Sequence, residues 1–304
     1  MDKNGKENRS YNLIEHLAGW ISLPKFFFAT GLTFFLTSVL FPFYWMISSS
    51  FKSYAEIGSR RPIYFPNAFR LNAYRELFDP GNPDFWNFGR NLFNSLKVAA
   101  PTAIIAVIFS LLGAYAIARL RFKGKEVLLN GVLLVYLFPA VLLMIPLFAM
   151  FSKIGRALGF GIQDNLFVLI VTYLAQTLPV ALYMLTNYFK SIPAEIEQAG
   201  LVDGCSRLGV IWRITIPLSI PALASVAMYT FMIAWNEFLY ALVFLNSPDA
   251  FTVPIKINMI FNDPTPRPHV VMAASTITTI PVMILFLSLQ KFLEEGLTAG
   301  SVKG

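Results

Sequence analysis

Few residues of this chain have types and spacing suited to chemistry, and they are scattered. The two histidines, His16 and His269, lie far apart, and Cys205 is the single cysteine. An intramolecular disulfide, a cysteine-based metal site, zinc chemistry and a histidine-based triad are therefore poor expectations. Glu195 and Glu197 have the types of an acid–base pair, but adjacent turns of an exposed loop supply no enclosed site. The run Gly204-Cys-Ser-Arg-Leu208 misses the hydrolase nucleophile elbow at its last position. No Gly-x-x-x-x-Gly-Lys-Ser/Thr loop occurs, so any ATP-derived energy must come from a partner. The remaining acid of interest is Glu237, which lies in a long apolar run beside Trp235 and Asn236. A charge at the bilayer centre costs about 2.5–3.5 kcal/mol on insertion scales. Two roles stay open for it. Glu237 lines a pore, with Asn236 and Trp235 offering polar and stacking contacts, or it makes a structural hydrogen bond.

The elements that must position these residues are membrane helices. Of the 304 residues, 56% are hydrophobic and 13% charged, with a mean hydropathy of +0.60. A soluble domain carries about 25% charge. This chain cannot coat a globular surface with polar groups, and it is too hydrophobic for disorder. An all-α polytopic membrane protein follows. Its net charge of +7 reads as loops facing anionic membrane lipid, not as nucleic-acid binding.

Crossing the hydrocarbon core takes roughly 20 apolar residues. Six runs meet that: Phe26–Ile47, Val98–Ile117, Val127–Phe151, Leu166–Leu185, Ile220–Leu245 and Val270–Leu289. The first is too long for a cleaved signal peptide, and no small-x-small site follows it. Prolines 42, 101, 139, 146, 179, 221 and 281 interrupt the spans as tolerated kinks. The chain divides into a tail (1–25), a first span with an external loop (26–90), a five-helix core (91–290) and a second tail (291–304). A slight excess of Lys and Arg, concentrated at Arg119, Arg121, Lys123 and Lys125, places both termini in the cytoplasm. The segment 48–97 then caps the outer face. Four Gly-x-x-x-Gly matches, at Gly155, Gly200, Gly296 and Gly300, fall outside the apolar runs and read as coincidence.

The inner segment 190–217 is unlike the rest. Ser191 or Ile192 can cap a helix, Pro193 suits its first turn, and Glu195 and Glu197 favour its N-terminus. Gly204 can end that helix in the left-handed conformation, and Ser206 can cap a second one ending near Pro217. The first helix has an apolar stripe (Ile192, Ile196, Ala199) opposite Glu195, Glu197 and Asp203. A helix lying on lipid would carry Lys and Arg there instead. A knob for a protein partner is the better reading.

This segment resembles the signature of permease subunits of prokaryotic ABC importers: Glu-Ala-Ala, three residues, Gly, nine residues, Ile-x-Leu-Pro. The register falls on Gln198-Ala199-Gly200, Gly204 and Ile214-Thr215-Ile216-Pro217, with Gln198, Gly200 and Ile216 departing from it. Residues 201–208, 114–122, 234–238 and 296–304 are similar to the carbohydrate branch, and to its second, MalG-like permease. The resemblance implies the type I importer fold in a prokaryotic inner membrane. It implies a heterodimer with a second permease, two ABC ATPases that use ATP and magnesium, and an extracytoplasmic solute-binding protein. No cofactor would be bound by this chain itself, which is not an enzyme. It assigns ATPase coupling to Glu195, Glu197, Gln198, Ala199, Gly200, Asp203, Gly204, Ile214 and Pro217. It also implies sugar as cargo. Glycerol phosphate or another polyol is the alternative, and a secondary transporter a weaker one, since neither inverted repeats nor several intramembrane charges occur.

Overall fold

The computed structural model describes the backbone of residues 4–301 and the side chains of residues 25–132, 134 and 137–293. Most of the two tails, His16 included, lies outside the residues whose side chains are described. Fourteen helices follow in order: α1 (Asn4–Ser50), α2 (Tyr54–Ile57), α3 (Asn72–Phe78), α4 (Phe88–Arg119), α5 (Lys125–Tyr136), α6 (Ala140–Leu158), α7 (Leu166–Ser191), α8 (Ala194–Val202), α9 (Arg207–Val210), α10 (Ile216–Leu218), α11 (Ile220–Asn236), α12 (Leu239–Phe244), α13 (Val253–Phe261) and α14 (Pro268–Ser301). A π-helical turn, Ile211–Thr215, joins α9 to α10.

Among the described residues five helices are long and apolar enough to cross a membrane, in α1, α4, α6, α7 and α14. The pair 207–218 and 220–236, bent by 79°, brings the number to six when taken as one broken span. Two expected spans have different limits. The run 127–151 is split between α5 and α6, because Pro139 has no N–H and disfavours helix at Phe138. Prolines 101, 146, 179 and 281 all remain inside helices. The run 220–245 ends as a helix at Asn236, where Glu237 turns extended. Its carboxylate accepts the N–H groups of Tyr240 (2.9 Å) and Ala241 (3.1 Å) and so caps α12.

Helices α4, α7 and α11 pack together as the centre of the bundle. Val98, Ala99, Tyr173, Phe231 and Trp235 fill the contact, and Phe244 of α12 joins the same cluster. The membrane-long part of α1 buries none of its apolar window, and that of α6 only 6%. Those faces are left for lipid or another subunit.

At the end of the bundle remote from α8, segment 51–87 folds onto α13 and α14. The Arg267 guanidinium joins them, pairing with Glu76 (2.9 Å) and Asp84 (2.8 Å). Ser53 and Glu56 form a capping box, and the Asn67 N–H also donates to Glu56. These hydrogen bonds, the Ser53 backbone N–H first, lower the Glu56 pKa from 4.5 to about 2. A depressed carboxylate stabilises its fold above its unfolded value and loses that contribution as pH falls through the folded one. The turn at Ser53–Asn67 should therefore stay protease-resistant down to pH 4.5 and loosen progressively toward pH 2. Limited pepsin digestion across that window would read it, and Glu56→Gln should abolish the pH step.

Residues 246–253 are clamped from two sides. The Asn91 amide donates to Pro248 (3.0 Å) and Phe251 (2.9 Å), that of Asn94 to Asp249 (2.8 Å) and Phe251 (3.2 Å), and Ser95 accepts from the Val253 N–H (2.8 Å). Opposite, Asp164 accepts from the Asn246 and Ser247 N–H groups and the Ser247 hydroxyl. Its φ of 57° is uncommon for a residue with a side chain, and these three bonds hold it there. Asn94→Ala removes both hydrogen bonds that the buried Asn94 amide donates, to the Asp249 and Phe251 carbonyls. A loss of about 1–3 kcal/mol is expected, measurable as a lowered Tm in detergent.

Candidate functional site

The segment between α7 and α11 forms a small polar-centred unit at one end of the bundle. Helix α7 ends at Ser191, whose hydroxyl turns back to the Tyr188 carbonyl (2.7 Å) and does not cap α8. Pro193 stands at the N-cap itself, one place earlier than expected, and α8 starts at Ala194. Glu195 and Glu197 lie in its first turn, where the helix dipole favours acids.

The C-terminus of α8 is a Schellman motif. The Cys205 N–H reaches the Gly200 carbonyl (3.0 Å), and that of Gly204 reaches Leu201 (3.2 Å). Gly204 adopts φ +86°, the left-handed region that its lack of Cβ permits. Ser206 then caps α9, accepting from the Gly209 N–H (3.1 Å). The π turn precedes Pro217, which cannot donate to the carbonyl one turn back. The run ends at Leu218, where the carbonyl accepts the Tyr188 hydroxyl (3.0 Å).

Glu197 does not share the outward acidic side with Glu195 and Asp203 as expected: it and Gly200 are the buried residues of α8, while Ile196 and Ala199 of the apolar stripe are exposed. Glu195, Gln198, Leu201, Asp203 and Gly204 are exposed too, and Val202 is 87% exposed. The physical reason lies beneath the helix. The Arg119 guanidinium, at the end of α4, forms an ion pair with the Glu197 carboxylate at 3.1 Å. It also donates to the Ile192 carbonyl (3.0 Å), and the Thr215 hydroxyl donates to Glu197 (3.1 Å). Both charged side chains are nearly enclosed. A buried carboxylate needs such partners, and their position sets the rotation of α8. Gly200 faces Ile214, whose Cδ1 occupies the place a Cβ on Gly200 would take. The unit thus brings together Glu197, Gly200, Ile214 and, through the turn, Gly204. It presents Glu195, Gln198, Ala199 and Asp203 outward, with exposed Pro217 near the far end of the second helix run.

Trp235, Asn236 and Glu237 do not form a common wall. Trp235 is 1% exposed and stacks on Phe231 at 5.5 Å, so it belongs to the core. The Asn236 amide bonds back to Met232 (2.8 Å), and Glu237 is occupied with its cap on α12. Sequence reasoning missed Arg119 and Thr215 as members of the α8 unit. A cue for Arg119 was an arginine ending a span beside an acid-bearing loop. Thr215 carries no such cue.

Residues 106–299 match the family described as binding-protein-dependent transport system inner membrane component. The chain is 43% identical to the inner membrane ABC transporter permease protein YcjP of Escherichia coli, over 93% of this chain and 98% of that one. It is 38% identical to the trehalose/maltose transport system permease protein MalG of Thermococcus litoralis, over 87% and 92%. It is 35% identical to the sulfoquinovosyl glycerol permease protein SmoH of Agrobacterium fabrum, over 93% and 97%. A solved bacterial ABC transporter for alginate import contains a chain of the same fold, with a TM-score of 0.72 at 23% identity, covering 96% of this chain and 99% of that one. With a family match over most of its length and relatives this near along nearly all of it, this multi-pass membrane chain belongs to the binding-protein-dependent transport system inner membrane component family.

Proposed function

We propose that this chain is a transmembrane permease subunit of an ATP-driven importer for a sugar, an oligosaccharide or related carbohydrate delivered by a solute-binding protein. Relatives named for trehalose/maltose and sulfoquinovosyl glycerol transport support the carbohydrate class. The observation that carries the mechanism is α8: a short helix, capped at its C-terminus and fixed from below, with Ile196, Leu201 and Val202 exposed at a bundle end. Such a helix has an apolar face that nothing among the described residues covers. An ATPase cleft is the partner we assign to it. ATP closure there would move α8 as a unit with α4, because Arg119 and Glu197 join them. The end bearing α8 is then cytoplasmic, together with both termini, and segment 51–87 and residues 246–252 face the binding protein. A second permease covers the exposed faces of α1 and α6, and two ATPases complete the complex. ATP and magnesium are theirs.

The test is purification with the candidate ATPase, second permease and binding protein, followed by uptake into ATP-loaded proteoliposomes. A panel of trehalose, maltose, diacetylchitobiose and glycerol 3-phosphate separates sugar from polyol-phosphate cargo. ATP-dependent sugar uptake is expected. Uptake that persists without ATP would point to a secondary transporter and end this reading.

A further inference from the structure

Two helix interruptions meet at one cavity. The first lies between α5 and α6, at residues 137–139, and the second between α11 and α12, at Glu237 and Phe238. Both occur inside runs that should cross the hydrocarbon core. Broken backbone at membrane depth is tolerated where it is buried in protein or borders water, because lipid cannot satisfy freed N–H and C=O groups. Here the two breaks are tied to each other: the Tyr240 hydroxyl, from the second, donates to the Ala140 carbonyl at the first (3.1 Å). Between them and α7 is a cavity of about 420 Å³, lined by Phe138, Ala140, Leu143, Thr172, Gln176 and Tyr240 among others.

The lining has the chemistry of a place for a polyhydroxylated ring. Phe138, which is 57% exposed, offers apolar ring surface, and sugar C–H faces pack on such rings, while the enclosed Tyr240 backs the cavity. The Gln176 Oε1 is enclosed yet has no hydrogen-bond partner among the described residues. An acceptor left this way costs free energy unless water or a ligand hydroxyl reaches it. Among the described residues no charged side chain lines the space, which suits a neutral solute.

We infer that the cavity between the two breaks is this chain's section of the solute path, a watered site that takes a neutral sugar ring against Phe138 with Gln176 as hydroxyl acceptor and Tyr240 behind it. It rests on the transport reading above and replaces the expected wall of Trp235, Asn236 and Glu237.

Cys205 is the single cysteine, so a Cys205→Ser background gives a clean labelling experiment in the full complex. Gln176→Cys and Leu143→Cys place a thiol in the cavity. Ile104→Cys, on the exposed apolar face of α4, is the control. A membrane-impermeant thiosulfonate should label the cavity positions roughly tenfold faster than the control, because the reacting species is the solvated thiolate. Loading the binding protein with trehalose or maltose, whichever the parent complex takes up, should slow cavity labelling severalfold under turnover. Uptake by the Cys205→Ser parent is measured first. Its absence for every solute tested counts against the transport reading, independently of the cavity. With parental uptake intact, labelling of both cavity positions at the slow rate of Ile104→Cys would mean a lipid-filled cleft and overturn the inference. Fast labelling insensitive to sugar would overturn the ring site as well. Should Gln176→Cys fail to assemble, Leu143→Cys carries the test.

Discussion

Arg119→Met should cost the assembled protein about 3–5 kcal/mol and abolish uptake, because it strands a carboxylate that the fold has buried. Glu197 is 5% exposed, with Arg119 and the Thr215 and Tyr115 hydroxyls around it. Removing the guanidinium leaves only the hydroxyls to support the charge. It also frees the Ile192 carbonyl at the joint between α7 and α8. The helix can escape the penalty by rolling Glu197 into water, which would carry the exposed apolar residues of α8 out of position. Either response shows as a lowered Tm and as loss of the copurifying ATPase. The control separates charge from shape. Arg119→Met combined with Glu197→Leu removes both charges together, and such replacements of buried pairs are often neutral or stabilising. The double variant should therefore regain most of the Tm lost by the single one. Equal Tm values in parent and Arg119→Met would show that the pair does not hold α8.

Gly204→Pro should have the second largest effect, and on coupling more than on membrane insertion. Proline fixes φ near −65°, whereas Gly204 sits at +86°. The substitution also deletes the N–H that reaches the Leu201 carbonyl. The Schellman turn cannot form, so the direction in which the chain leaves α8 changes, and with it the approach to Ser206 and α9. The six spans do not depend on this turn, and the protein should still reach the membrane. ATPase stimulation and uptake should both be lost. Gly204→Ala pays only the strain of a Cβ in the left-handed region, about 1–2 kcal/mol, and Gly204→Asn less, since asparagine visits that region readily. The expected order of activity is parent, Asn, Ala, Pro. Normal uptake by Gly204→Pro would remove α8 from the coupling role.

The features legible in the sequence were those set by neighbours in the chain. Gly204 and Ser206 announce themselves because a left-handed turn and an N-cap are satisfied within a few residues. The spans were legible because hydropathy needs no partner. What escaped was set by residues distant in sequence. The inward face of α8 depends on Arg119, at the end of another helix. Pro139 looked no different from Pro101 or Pro179, yet it alone among them ends a helix in the middle of an expected span. Glu237 showed in the sequence as an oddity in the membrane. That its oxygens would be taken up by the N–H groups of Tyr240 and Ala241 required knowing that the helix stops there.

Helix α4 runs unbroken through 32 residues, with Arg119 at one end and Asn91, Asn94 and Ser95 near the other. At 1.5 Å per residue it is about 48 Å long. A rigid rod of that length, tilted about its middle, would act as a seesaw. Each degree of tilt about its middle carries both ends roughly 0.4 Å, in opposite directions, by the same helical rise. Whatever draws the Arg119 end toward the bundle axis swings the amides that grip residues 248–253 away from it. One rod of this kind cannot narrow both mouths of a passage at once, so opening on one side and closing on the other are a single motion.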